Sequence, residues 1–127
     1  MPAAQVVFYK SDDGAVPVLE FLRNLLPIHP KAYANCLARI RLLKALGHEL
    51  RRPHVDYLRD GIFELRTKER TVQYRILFFY HGRNITILAH ALTKEKDVPD
   101  IDIERALERK QRYEQNPSRH SAIEPIA

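Results

Sequence analysis

The chain has 127 residues, a net charge of +5 and a pI near 9.5, with 45% hydrophobic and 29% charged residues. This length and composition predict one domain that buries a single core without disulfides or structural metals. The positive charge favours an anionic partner, such as a nucleic acid or an acidic protein, but indicates no fold. No apolar run approaches the ~20 residues of a membrane-spanning helix, and we expect neither a leader peptide nor a membrane partner.

The cysteine and histidine content argues against metal and disulfide chemistry. The single cysteine, Cys36, falls at an apolar position of a predicted helix and is interpreted as a packing residue. One cysteine cannot form an intrachain disulfide, so a reducing, cytoplasmic location is expected. The six histidines form no HxxxH or Cys/His cluster. The sequence therefore predicts no metal site and no cofactor.

In chain order, the first predicted elements are a strand and a helical hairpin. Residues 5–9 are β-prone and precede a turn at residues 11–14. Apolar residues at helical spacing predict one helix over about residues 16–26 and another along the stripe of residues 33–43, ending near Gly47. The two helices need a sheet to cover their apolar side.

The second half of the chain is predicted to supply that sheet. Residues 54–58 read as a short strand or an extended lead-in, and alternating polar and apolar residues over 62–93 predict three further strands. A C-terminal helix is expected after residues 97–100. These elements predict an α+β fold, a single domain of residues 1–115, with helices on one sheet face and a working surface on the other. The tail, residues 116–127, is predicted to be disordered.

The first predicted hairpin gathers charged residues on one sheet face. With a turn at Lys68–Arg70, Arg66 faces Gln73 and Glu64 faces Arg75. Two arginines close together favour a phosphate ligand, because each guanidinium group can bind two phosphate oxygens at once. The alternative is an ordinary cross-strand ion pair of Glu64 with Arg75, beside a solvated Arg66.

The second predicted hairpin decides where His90 lies. A two-residue turn at Gly82–Arg83 sets Arg75 opposite His90 and adds the histidine to the polar face. A one-residue slip or a bulge would move it to the other face. Both His54 and His90 are considered for catalytic work.

Three segments of this region read LRDGIFELR at 58–66, QYRILF at 73–78 and HALTKE at 90–95, and an IERA helix follows at 103–106. Together they resemble the RelE/HigB-type toxins of bacterial toxin–antitoxin systems, in particular their phage-derived Gp49-like branch. The resemblance implies a small RelE-like domain and a ribosome-dependent endoribonuclease that cuts mRNA in the ribosomal A site. The expected partners are the ribosome, mRNA and a cognate antitoxin, often a helix-turn-helix protein, with DNA reached only through the antitoxin complex.

Residue by residue, the resemblance assigns Arg66 and Arg75 to the basic sheet positions of the family and Lys94 to the lysine after the last strand. Glu95 stands where a second lysine is common, and His90 stands at a variable position. Metal-independent cleavage through the RNA 2′-OH needs a base, charge stabilisation at phosphorus and an acid. The predicted catalytic residues are Arg66, Arg75, Lys94 and His90. The predicted RNA-binding residues are Lys68, Arg70, Gln73, Tyr74 and Lys96.

The group that moves the proton stays open among Lys94, His90, Glu64, Tyr74 and a ribosomal group. A competing interpretation is a non-catalytic nucleic-acid- or protein-binding module of phage origin, either a decayed toxin or an inhibitor of a host factor. The departure at Glu95 favours this second interpretation, whereas the intact ELR and QYR segments favour the enzyme.

Overall fold

The computed structural model describes residues 5–94 and 96–124, which form six strands of one sheet, three α-helices and a short 3₁₀ turn at Gly47–Glu49. The helices are α1 (Pro17–Ile28), α2 (Pro30–Leu46) and α3 (Asp100–Gln115). The strands are β1 (Gln5–Tyr9), β2 (Val55–Arg59), β3 (Ile62–Glu69), β4 (Val72–His81), β5 (Ile85–Thr93) and β6 (Ser121–Ala122).

The sheet has the order β2-β3-β4-β5-β1-β6, and only the β1–β5 pair among the described strands is parallel. The N-terminal strand, the helical hairpin, the mostly antiparallel sheet and the C-terminal helix confirm the predicted α+β class. Pro30 begins α2, where its missing N–H costs little. Among the described residues, the structure contains no helix with the length and apolar character to cross a membrane.

Helices cover both faces of the sheet, and the expectation of one bare face was wrong. On the first face α1 and α2 bury residues such as Leu22, Ile40 and Ile76, whereas on the second face α3 packs Ala106 and Tyr113 against the sheet. The reason lies in β4, where every residue from 74 to 79 is buried. A strand that carries apolar side chains on both faces must be covered by other elements on both sides of the sheet. The polar working surface is therefore confined to what α3 leaves open.

The β3–β4 hairpin differs in register from the prediction by two residues. Arg66 pairs with Arg75, and Lys68 pairs with Gln73. The turn lies at Arg70–Thr71 instead of Lys68–Arg70, and Arg70 has a positive φ of 57° there. A shift of two residues leaves every side chain on its predicted face, because strand side chains alternate with a period of two.

The β4–β5 hairpin has a three-residue turn and a bulge. His81 pairs with Ile85, and the register then shifts so that Leu77, not Arg75, lies opposite His90. The slip at the turn and the bulge together shift the register by two residues, so His90 stays on the sheet face of Glu64 and Arg75, as predicted. Helix α3 covers that face, and His90 contacts Asp102 there. The predicted pairing of Arg75 with His90 was therefore wrong.

The C-terminal segment is ordered as far as residue 124, contrary to the prediction of a disordered tail. Ser121–Ala122 pairs with the end of β1, and His120 is buried against Tyr9. The Lys10 N–H donates to the His120 carbonyl oxygen at 3.0 Å. The edge of β1 needs a hydrogen-bonding partner, and this segment supplies it. Residues 125–127 of the predicted tail lie outside the described residues.

Candidate nucleic-acid interface

A groove rich in cations runs along the edge of the sheet next to the start of β2. The pairing of β2 with β3 begins at Val55 and Leu65, so the rest of β3 has no strand on the side away from β4. There the Arg66 N–H donates to the His54 carbonyl at 2.8 Å. A hollow of about 300 Å³ forms there, lined by Arg39, Pro53, His54, Arg66, Thr67, Lys68 and Gln73. We name it the β3-edge hollow.

A second cleft continues from this hollow across Gln73. It measures about 540 Å³ and is lined by Val72, Gln73, Thr93, Lys94, Lys96, Asp97 and Pro99. Because Gln73 lines both cavities, we treat them as one surface and name it the cationic groove. The groove thus brings together five predicted site residues: Arg66, Lys68, Gln73, Lys94 and Lys96.

Arg66 presents a partly exposed guanidinium to the groove. Its side chain is 30% exposed, and its Nε lies 3.5 Å from a Glu64 carboxylate oxygen. That contact does not have hydrogen-bond geometry. The Arg66 Nε is a buried atom and has no hydrogen-bond partner among the described residues, and the same is true of the Arg39 Nε. Buried donors are normally satisfied in folded proteins. Two guanidinium groups that line one hollow are suited to an anion.

Arg75 lies beneath the groove and has its donors occupied. It is 7% exposed, and its guanidinium donates to the Lys94 carbonyl at 3.0 Å, to the Lys96 carbonyl at 2.7 Å and to the Glu64 carboxylate. Glu64 is 2% exposed. The structure thus does not bring the Arg75 guanidinium to the surface beside Arg66. Its contacts fix the backbone on both sides of Glu95, which itself lies outside the described residues.

Lys94 and Lys96 are exposed on the segment that Arg75 fixes. The Lys94 N–H donates to the Gln73 carbonyl at 3.3 Å, which extends the β4–β5 ladder to the groove. Lys68 is also exposed, across the hairpin from Gln73. These three ammonium groups surround a half-buried amide. Such an arrangement attracts the phosphates of a nucleic-acid strand.

Two predicted RNA-binding residues lie elsewhere. Tyr74 is 5% exposed and belongs to the core between the sheet and the helices α1 and α2. Arg70 stands at the tip of the β3–β4 hairpin with a side chain that is 90% exposed, and it does not line the cationic groove. Tyr74 is buried because the period-two pattern of the strand places its side chain on the apolar face.

His90 belongs to the attachment of α3 rather than to the groove. Its Nε2 lies 2.7 Å from the Asp102 carboxylate, and its Nδ1 lies 3.4 Å from the Arg109 guanidinium. A neutral imidazole with its proton on Nε2 satisfies both contacts, because Arg109 is only a donor. Burial lowers the pKa of His90, and the hydrogen bond to Asp102 partly offsets this shift.

Arg39 is absent from the predicted site residues, and His54 is considered there but not selected. Arg39 lies between the buried residues Cys36 and Leu43 on α2, at the border of the helix face that meets the sheet. A cation at the edge of an apolar helical stripe is the signal that finds it. His54 reaches the groove because it directly precedes β2, whose start exposes the β3 edge.

Other chemistries have little support among the described residues. No group of three or more histidine, cysteine, aspartate or glutamate side chains there is arranged to hold a metal ion. Cys36 is 1% exposed, and burial raises the pKa of its thiol to about 11. It is a packing residue, as predicted.

The comparisons with known proteins agree with the toxin resemblance at the level of a family. The family described as phage-derived Gp49-like proteins matches residues 23–111, which is well over half of the chain. The search among curated proteins gave no match. The matched region contains α2, the strands β2 to β5, most of α3 and the whole cationic groove. The chain therefore belongs to the Gp49-like family of phage-derived proteins, a family of RelE-like toxins.

Proposed function

We propose that this protein is the toxin of a type II toxin–antitoxin module of the RelE/HigB type, a ribosome-dependent endoribonuclease that cleaves mRNA. The cationic groove carries the proposal, because Arg39 and Arg66 line it together with three lysines. A single RNA strand presents closely spaced phosphates to such a surface. Family membership supports the toxin class of the proposal.

The reaction expected in the groove is internal transesterification. The 2′-oxygen loses its proton to a base and bonds to phosphorus, while the bond from phosphorus to the 5′-oxygen breaks and that oxygen takes a proton from an acid. The products are a 2′,3′-cyclic phosphate and a 5′-hydroxyl. Arg66 is proposed to stabilise the negative charge that develops on the phosphorane oxygens. Arginine is too basic to exchange protons readily, so another group does so.

We assign proton transfer to His54 in preference to His90. His54 lines the same hollow as Arg66, whereas His90 is held by Asp102 and Arg109 under α3. Imidazole is the side chain most often used for proton transfer near neutral pH. Lys94 remains the second candidate, because it is exposed at the far end of the groove.

Arg75 is proposed as a positioning residue rather than a catalytic one. Its bonds to the Lys94 and Lys96 carbonyls hold the lysine segment over the groove. The ribosome is proposed to order the mRNA strand, since a groove of exposed lysines does not by itself fix a scissile bond in line for attack. Slow cleavage of free RNA follows from this division of labour.

The proposed partners are the ribosome, mRNA and a cognate antitoxin with a helix-turn-helix domain, through which alone the toxin reaches DNA. A short reading frame beside the gene that encodes such a protein would support this part of the proposal. Absence of any neighbouring antitoxin frame would favour a solitary phage-derived inhibitor.

The second candidate function is a non-catalytic RNA- or protein-binding module. It is favoured by the sparse acid–base chemistry of the groove, where His54 is the one imidazole among the described lining residues. Glu64 does not supply a free base, because Arg75 and Arg66 neutralise its buried carboxylate. Growth arrest without mRNA cleavage would select this candidate.

Controlled expression in a bacterium tests the enzyme. We expect wild type to arrest growth and to produce translation-dependent cuts in mRNA, and we expect Arg66→Ala to lower the cleavage rate about 100-fold. The matched control is Arg83→Ala, which removes an exposed arginine at the opposite end of the β4–β5 hairpin. His54→Ala is expected to relieve arrest as well.

Equal growth of cells making soluble wild type, Arg66→Ala and Arg83→Ala would contradict the enzyme proposal. Rapid cleavage of naked RNA by the purified chain would contradict ribosome dependence alone. Loss of activity on Arg83→Ala to the same extent as on Arg66→Ala would remove the special role of the groove.

A further inference from the structure

A cleft of aromatic and basic side chains lies next to the cationic groove. It measures about 560 Å³, and its lining includes Tyr57, Phe63, Tyr80, His48, Arg51 and Arg52. The proposed reaction uses none of these residues. We name this cavity the aromatic cleft.

Tyr57 is an exposed ring that is held in place. It is 54% exposed, and it is the only aromatic residue among the large apolar side chains that are exposed in the described part of the chain. The Gly61 N–H donates to its hydroxyl oxygen at 3.0 Å, and its ring meets Phe63 at 5.0 Å with an interplanar angle of 67°. An exposed ring fixed at both ends loses little further freedom when a planar ligand binds it.

The rings behind Tyr57 form a continuous aromatic wall. Phe63 meets Tyr80 edge to face at 5.2 Å, and His48 stacks on Tyr80 at 3.7 Å with an interplanar angle of 25°. Burial raises the pKa of Tyr80, and the positive charge of Arg51 partly offsets that rise. A guanidinium charge is therefore close to this wall.

The aromatic cleft and the cationic groove meet at one loop. Arg51 and Arg52 line the cleft, while the next two residues, Pro53 and His54, line the β3-edge hollow. One peptide bond joins Arg52 of the cleft to Pro53 of the hollow, so the two cavities adjoin at this point of the loop. A strand that leaves the groove past His54 thus reaches the cleft directly.

We propose that the aromatic cleft is a subsite for a nucleotide that flanks the scissile bond, with its base stacked on Tyr57 and its phosphate beside Arg51. The inference rests on the proposed function in that the ligand is single-stranded RNA. A ring face next to a cation matches a base next to a phosphate. Arg52 is the lesser contact, because it already pairs with Asp56 at 3.0 Å.

Binding of a non-cleavable RNA to the full chain tests the subsite. The probe is a dye-labelled, single-stranded 2′-O-methyl oligoribonucleotide, followed by fluorescence anisotropy at low salt. We expect Tyr57→Ala to raise Kd about tenfold, whereas Tyr57→Phe, which keeps the ring, stays within about twofold of wild type. Ile101→Ala, an exposed apolar truncation on α3, is the control that leaves Kd unchanged.

A second set of probes locates the stacked base. Each probe carries one abasic nucleotide, placed at every position in turn. An abasic nucleotide at one position of the probe is expected to weaken binding to wild type as much as Tyr57→Ala does. The same abasic probe is expected to bind Tyr57→Ala no more weakly than the intact probe does. If Tyr57→Ala folds poorly, Tyr57→Leu takes its place in both experiments, because it keeps the apolar bulk without an aromatic face. Tyr57→Leu is expected to raise Kd as predicted for Tyr57→Ala.

The subsite would be overturned if Tyr57→Ala bound the probe as wild type does, or if no abasic position distinguished the two proteins. The same holds if wild type does not bind the probe. If Tyr57→Ala leaves RNA binding unchanged, a protein ligand for the cleft is favoured instead. Failure of the catalytic proposal is separate, because it appears as unchanged growth arrest and mRNA cleavage on Arg66→Ala while the Tyr57 result stands.

Discussion

At the scale of single residues, two arginines that face each other across β3 and β4 have different roles. Arg66 keeps a partly exposed guanidinium, whereas Arg75 is buried and bonded to Glu64 and to two backbone carbonyls. Alternation of polar and apolar residues predicts which face an arginine takes. It does not predict which arginine a carboxylate and a loop will cover.

The buried ion pair gives a prediction that separates stability from activity. Arg75→Ala leaves the Glu64 carboxylate buried with only the 3.5 Å contact to Arg66, so the free energy of unfolding is expected to fall by about 3 kcal/mol. Chemical denaturation measures this loss, with Arg83→Ala as the control that changes it little.

Replacing both partners, as Glu64→Met with Arg75→Met, is expected to restore most of the stability, because no charge is left buried. Growth arrest is nevertheless expected to stay weak, since the carbonyls of Lys94 and Lys96 have lost their common donor. A double variant that is both stable and fully toxic would refute the positioning role of Arg75.

At the scale of elements, α3 is attached to β5 by polar contacts as well as by its apolar side. Arg109 donates to the Ala89 carbonyl at 2.6 Å, and Asp102 holds His90. The residues Ile103, Ala106 and Tyr113 supply the apolar contact. This attachment closes the second face of the sheet and leaves the cationic groove as its open border.

The His90 contact makes the attachment of α3 sensitive to pH. Burial lowers the pKa of His90 below its ordinary value of 6.5, so the unfolded chain takes up a proton near that pH while the folded chain does not. Stability is therefore fully present above about pH 6.5 and is lost as pH falls toward the lower, folded pKa.

Urea denaturation at pH 7.5, about 6.5 and 5.5 measures this dependence. We expect the free energy of unfolding of wild type to fall more steeply on acidification than that of His90→Gln, which binds no proton. Parallel pH profiles for the two proteins would contradict the effect of His90.

At the scale of the whole molecule, the two ends of the chain close the sheet together. Asp12 forms ion pairs with Arg112 at 3.4 Å and with Arg119 at 2.6 Å, beside the β1–β6 pairing. The His120 ring stacks on Tyr9 at 5.3 Å and 6°, and its Nδ1 contacts the Lys10 carbonyl at 2.8 Å.

His120→Ala tests whether this closure stabilises the fold. The substitution removes a buried hydrogen bond and a ring stack, so we expect the free energy of unfolding to fall by about 2 kcal/mol. Thermal denaturation followed by circular dichroism, with the exposed Ser118→Ala as control, measures it. No difference between the two variants would mean that the C-terminal segment adds nothing to stability.

Periodicity predicted the fold class, the order of the elements from β1 to α3 and the sheet face of each charged residue. The register of both hairpins could not be predicted, because it depends on a positive φ at Arg70 and on a bulge opposite Leu77. For the groove, the sequence indicated five lining residues, namely Arg66, Lys68, Gln73, Lys94 and Lys96. It could not select His54 over His90, since that choice follows from the point where β2 stops pairing.

The position of β1 in the sheet has a consequence for how the protein is made. β1 lies between β5 and β6, and its Gln5 pairs with Ile85, so both neighbours of β1 follow it far along the sequence. Pairings between residues so distant in sequence form late and slowly. In a nascent chain, β1 therefore stays without either of its neighbours until β5 and β6 have been synthesised.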